Sequence, residues 1–175
     1  MKKFLRLLAI TIANMILCLT AEAQEKFTEG KQTVDDRIFE TGFSEIDTNR
    51  MWVITKLPQY ENGYPLPKSP TPPLPIRDGD MKVDTIIDKT VVHEVLRDKL
   101  EELKTNGERI TIHYVFGQDG NVVDISSYSL PRNTLITPKE LAMIDKRLRK
   151  EVKATFKGRE YLEHPVIFFG REIRF

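Results

Sequence analysis

Three histidines are the first residues in the chain to weigh for chemistry. His93, His113 and His164 fall on a helix-period segment, an alternating strand and a pre-proline loop. Four residues after His93 stands Arg97, where a zinc-binding helix would carry a second histidine. Histidines scattered in this way read as structural or exposed, and a hydrolytic site would have to be assembled in space from His113, His164 and distant carboxylates. Ser126 and Ser127 lie mid-strand with no G-x-S-x-G elbow around them. Asp119 sits in Gly117-Gln118-Asp119-Gly120, and one carboxylate in a tight turn is hairpin chemistry rather than a calcium loop. No glycine-rich phosphate loop occurs. The expectation is a protein that is not an enzyme, with no catalytic residue, no metal ligand and no cofactor.

Two surfaces could bind rather than react. Between Thr137 and Arg159 lie eight basic residues, opposed by Glu140, Asp145 and Glu151. They read either as a solvated helix face or as a surface for an anionic glycan or lipid, through Lys146, Arg147, Lys150 and Lys153. The end of the chain, VIFFGREIRF, is apolar on both faces of a strand. It reads either as a central buried strand or as a sheet edge that accepts a partner strand, through Val166, Phe168, Arg171, Ile173 and Phe175. Trp52, the single tryptophan, is expected to be buried or packed on a sheet rather than offered to a ligand.

The elements that position these residues centre on RITIHYVFGQDGNVVDISSY. Ile110, Ile112, Tyr114 and Phe116 share one face of a strand, and Val123 and Ile125 follow the Asp-Gly turn at the same period of two. Before this hairpin, Val92, Val95, Leu96, Leu100 and Leu103 predict a helix over 88–105, capped by Asp88 or Thr90 and stopped by Asn106-Gly107. After it, 129–136 reads as a loop. Thr137-Pro138-Lys139-Glu140 then starts a second helix with a capping box and proline at its first turn. The stripe Leu141, Ile144, Leu148, Val152 and Phe156 carries that helix to Gly158. A closing strand follows, kinked or bulged at Gly170. Earlier, 51–57 predicts a strand stopped by Pro58. Residues 24–49 are polar and weakly periodic, partly disordered, with Ile38, Phe39 and Phe43 as anchors. Seven of the ten prolines lie between Pro58 and Pro75, so the stretch from 65 to 76 reads as an extended strap or a docking ligand. The class expected is α+β: a three- to four-stranded antiparallel sheet, two helices on one face, in the order α-β-β-α-β.

Residues 1–23 read as a signal peptide: Lys2, Lys3 and Arg6, an apolar run from Leu7 to Leu19, then Ala21-Glu22-Ala23 with cleavage between Ala23 and Gln24. That run is shorter than the ~20 residues of a spanning helix, so no transmembrane segment is expected after processing. Cys18 is the only cysteine and leaves with the leader. The organisation expected is therefore a leader at 1–23, an extension at 24–64, a Pro-rich strap at 65–80 and a domain at 81–175. Loss of Lys2, Lys3, Arg6 and Glu22 with the leader takes the formal net charge from +1 to −1, which together with export argues against nucleic acid as a partner.

The residues Ile112, Tyr114, Phe116, Asp119, Gly120, Val123, Leu141, Leu148, Phe156, Ile173 and Phe175, in their helix–hairpin–helix–strand setting, resemble the C-terminal domain of TonB-like proteins. The resemblance covers residues 88–175. It implies an α+β domain that binds a protein or peptide of the envelope by strand addition to its last strand. A cleavable leader and a short Pro-rich stretch differ from an energy transducer, so the resemblance implies the fold without transduction. The whole chain resembles small exported proteins of Gram-negative bacteria. It is expected in the periplasm or at the outer membrane, or secreted.

Overall fold

The hairpin is the centre of the observed architecture. A computed structural model describes residues 26–44, 47–67, 76–77 and 79–175; the predicted leader, its Ala23–Gln24 cleavage point and most of the Pro-rich stretch lie outside them. Numbered in chain order, β5 (Arg109–Phe116) and β6 (Val122–Pro131) pair antiparallel around the turn at Gly120, whose φ is +77°. Register shifts leave Ser126 as an extra residue on β6. That bulge explains how Ile125 and Tyr128, three apart, both point into the core. The strand also runs on to Pro131, through the segment expected to be a loop, because Met51 and Arg50 pair with Leu130 and Pro131.

The sheet is wider than expected: six antiparallel strands in the order β1-β2-β3-β6-β5-β8. β3 (Arg50–Ile54) lies beside β6, and β8 (Ile167–Arg174) beside β5. The polar N-terminal stretch, expected to be partly disordered, folds as the hairpin of β1 (Gly30–Val34) and β2 (Arg37–Phe43). Its two-residue turn is Asp35-Asp36, both at positive φ (45° and 65°), the conformation a twisted hairpin needs and aspartate tolerates. Phe39 is wholly buried as anchor, whereas Ile38 is on the outer face. Residues 30–54 thus complete one sheet with the C-terminal half.

The predicted 88–105 helix is two pieces. α1 (Thr85–Val95) is capped by Asp84, which accepts from the Ile86 and Ile87 amides, and α2 (Leu100–Thr105) follows a 3-10 turn. Asp88 and Thr90, the two caps expected, both lie within α1, and Asp88 is buried there. α3 (Pro138–Glu151) begins on the predicted capping box, Thr137 Oγ1 accepting from Glu140 N and Thr137 N donating to Glu140 Oε2. It ends at Glu151, not Gly158, because the chain turns extended at Val152 and enters β7 (Ala154–Phe156), paired with β4 (Met81–Val83). Val152 and Phe156 still reach the core, which is why the helical period seems to continue through them. β8 stays in register across Gly170, so the predicted bulge is absent.

α1 and α3 pack on each other, and Val91, Val92, Leu141, Ile144 and Leu148 join Ile110, Ile112, Tyr114 and Tyr128 of the sheet in one buried cluster. On the opposite sheet face Ile38, Trp52, Ile54 and Phe168 keep 60, 41, 43 and 59% of their surface exposed, with the Tyr64 ring against Phe168. No helix among the described residues is long and apolar enough to cross a membrane.

Candidate functional site

Among the described residues β8 is the last strand of the sheet and pairs on one side only, with β5. Of the residues predicted to line this edge, one is exposed. Phe168 stands out on the open face, edge-on to the Tyr64 ring at 5.2 Å. Ile173 is buried opposite Ile110, and Val166 is buried just before the strand begins. Phe175 stacks on His93 at 5.9 Å. Beside the first half of β8 a cleft of about 360 Å³ opens between Ile76, Met81, His164, Val166 and Phe168. This half of the strand is uncharged, whereas Arg171, Glu172 and Arg174 mark the second half.

Arg171 points inward, its Nε 3.4 Å from the fully buried carboxylate of Asp88. Among the described residues neither Asp88 oxygen has a well-formed hydrogen bond, and the buried Tyr114 hydroxyl has none either. Burial pushes the Asp88 carboxyl above its ordinary range, against the pull of Arg171. A carboxyl raised in the fold holds its proton more tightly there, so it costs nothing below its unfolded value and destabilises as pH rises through the folded one. Asp88→Asn is therefore expected to raise stability at pH 7 by about 1 kcal/mol, with little change at pH 3. Urea midpoints at the two pH values test this, and equal midpoints for wild type and variant at pH 7 would refute it.

The basic helix divides. Arg147, predicted to face an anion, is held by Glu94 and Glu151, each at 2.8 Å. Arg149 turns inward to Asp124 at 2.6 Å and Asp145 at 2.8 Å. Lys146, Lys150 and Lys153 are exposed and form no ion pair among the described residues. Arg149 belongs to a network that the sequence reading did not anticipate. Asp145 also pairs with Arg37 at 2.7 Å and accepts from the Tyr128 hydroxyl, and Asp124 accepts from the Tyr64 hydroxyl at 2.7 Å. Burial raises both phenols, which keeps them protonated donors. The one available hint was the Asp145–Arg149 spacing of four on a helix.

The histidines occupy the places their segments imply: His93 on α1, His113 on the outer face of β5, His164 after a 3-10 turn. No group of three His, Cys, Asp or Glu side chains among the described residues is arranged to hold a metal ion. Ser126 donates to the His113 carbonyl, and Asp119 accepts from the Asn121 amide and side chain, closing the hairpin turn. Trp52, expected to be buried or packed on a sheet, packs on the open sheet face beside His113 and stays 41% exposed.

These elements define an α+β protein built on one six-stranded antiparallel sheet. It is similar in fold to a DUF5043 family protein from Bacteroides uniformis, whose crystal structure at 1.85 Å matches with a TM-score of 0.59. The match covers 86% of each chain at 8% sequence identity, more of this chain than residues 81–175 alone supply, and at that identity it is a likeness of fold. No protein-family model matches the chain, and no curated protein does.

Proposed function

We propose that the protein is a non-enzymatic component of the Gram-negative cell envelope that captures a protein or peptide as an added strand on β8. The observation that carries the reading is the position of β8 as the last strand of the sheet, with eight residues paired on one side only. Its unpaired backbone groups offer a template for another strand. The other edge, β1, is a five-residue strand closed by Asp35-Asp36 and carrying Lys31, features that discourage pairing. The resemblance of residues 88–175 to TonB-like C-terminal domains supports the same edge, and the leader supports export to the periplasm or the outer-membrane side. Capture starts at the uncharged half, Ile167 to Gly170, where the cleft opens. An anionic ligand on α3 is the weaker reading, since two carboxylates hold Arg147.

Ile173 is in the core, so a change there would damage the fold along with the edge. Gly170→Lys is the better test. A Cβ at Gly170 meets only His113 Nδ1, at 3.9 Å, and a lysine on an edge strand obstructs pairing. The variant is expected to keep its thermal midpoint and to lose at least ~10-fold of the partner retained from envelope extract at high salt, where exposed charge attraction is screened. Undiminished retention would rule out strand addition at β8.

A further inference from the structure

The open face of the sheet is organised around Trp52, and strand addition makes no use of it. β3 turns Arg50, Trp52 and Ile54 to that face, and Met51 and Val53 to the core. Opposite Trp52 on β6 stands Ser129, with Ser127 two residues before it, and beyond them on β5 stand Thr111 and His113. Since β6 contributes only serine side chains here, the indole lies down across that strand. It meets the His113 ring two strands away, at 5.4 Å between centroids. Strands are spaced about 4.8 Å apart, so the tryptophan spans most of two spacings. It keeps 41% of its surface exposed, and no hydrogen bond engages its Nε1–H among the described residues.

Arg50 is held beside it by neutral acceptors. Its Nε donates to Ser129 Oγ at 2.8 Å, and Nη2 donates to the Ser129 carbonyl at 3.1 Å and Thr111 Oγ1 at 3.3 Å. No carboxylate lies within ion-pair distance of Arg50 among the described residues. Further along the face, Arg109 and Arg174 share the single carboxylate of Glu172, at 3.5 and 2.7 Å. Asp47 and Glu108 line the cleft beside Arg50 and Arg109, so the corner as a whole is not cationic, and what singles out Arg50 is a guanidinium with no ion pair among the described residues. His113 adds no positive charge, because burial and the nearby Arg50 charge push its pKa down.

We propose that this face is a binding site for an acidic oligosaccharide, with one sugar ring stacked on Trp52 and a carboxylate of the chain paired with Arg50. A pyranose ring offers a flat C–H face that matches an exposed indole, while its hydroxyls both donate and accept, as the Ser127 hydroxyl does. A carboxylate suits the Nη1 donors of Arg50, since Ser129 and Thr111 engage Nε and Nη2 and fix the plane of the guanidinium. Arg50 and Trp52 are two residues apart on one strand, about 7 Å, a reach comparable to one sugar residue. A purely apolar partner would leave the arginines and the serine row unmatched. The site uses side chains of the sheet face and does not depend on strand capture at β8.

Trp52 is the only tryptophan of the chain, so its fluorescence reports the site directly. The probes are hexagalacturonate, a hyaluronan octasaccharide and neutral maltohexaose, titrated into the full-length exported protein. The expected result is a saturable emission change with at least one acidic oligosaccharide, at least 10-fold weaker with maltohexaose and weakened by salt. Arg50→Gln is expected to lose at least 10-fold in affinity for the acidic ligand with an unchanged thermal midpoint. Trp52→Ala, followed by calorimetry, is expected to lose binding. Lys146→Glu with Lys150→Glu and Lys153→Glu is expected to leave binding intact. Absence of saturation with both acidic ligands overturns the proposal. So does equal affinity for maltohexaose, or loss of binding in the triple lysine variant with Arg50→Gln unaffected.

Discussion

Replacing Arg149 with methionine is expected to destabilise the fold by about 3–5 kcal/mol, the range for removing one partner of a buried ion pair. Arg149 is a bridge between two carboxylates that are completely buried, and its own side chain is only 14% exposed. Its Nη2 also donates to the carbonyls of Thr55 and Ile125. Methionine fills much of the volume and supplies none of these bonds, so Asp124 keeps only the Tyr64 hydroxyl and the Leu57 amide as partners. With Arg37, the network sets two cations against two carboxylates, and the loss leaves a buried negative charge. Adding Asp124→Asn to the variant should restore part of the loss by removing that charge. Urea unfolding at pH 7 measures both, and a loss below about 1 kcal/mol would mean that the network is hydrated rather than buried.

Gly120→Ala should cost about 2–3 kcal/mol: roughly 1–2 for a left-handed alanine and about 1 for a broken backbone hydrogen bond. The glycine has φ +77°, and its carbonyl accepts from Ala154 N at 2.8 Å. A Cβ there would overlap the Ala154 carbonyl oxygen, so the hairpin tip has to lift from the start of β7. Gly107→Ala is the control. It has a φ of +62° and open space around its Cβ position, so it carries the conformational cost alone. Thermal melts of the two variants separate the terms, and equal midpoints would show that the turn yields without loss.

The parts legible in the sequence were those carried by local signals. The Thr137–Glu140 capping box, the Asp-Gly hairpin and the apolar stripe of α3 each state their own geometry within a few residues. The β1–β2 hairpin was hidden because its turn, Asp35-Asp36, contains no glycine, and because Gln32, Arg37 and Thr41 stand on its inward face while Ile38 turns outward. Asp88 occupies a place in α1 where a cap was plausible, and only the approach of β8 turns it into a buried acid. Arg149 is one of eight bases between Thr137 and Arg159, and what distinguishes it is Asp124, 25 residues away on β6. The exposure of Trp52 was hidden for a related reason. Its neighbours across the sheet are serines, which leave an indole uncovered, and strand register is invisible until the strands are paired.

The position of β3 has a consequence for the time course of folding. This strand lies between β2 and β6, and its ties to β6 join residues as far apart as Arg50 and Ser129, 79 positions along the chain. Closing a loop of that length costs entropy before any contact repays it, and such distant pairings slow folding. The first three strands to be synthesised therefore wait for the sixth, and until it arrives β3 presents an unpaired flank bearing Trp52 and Ile54. The interval between making β3 and making β6 is when this chain is most exposed to pairing with the wrong strand.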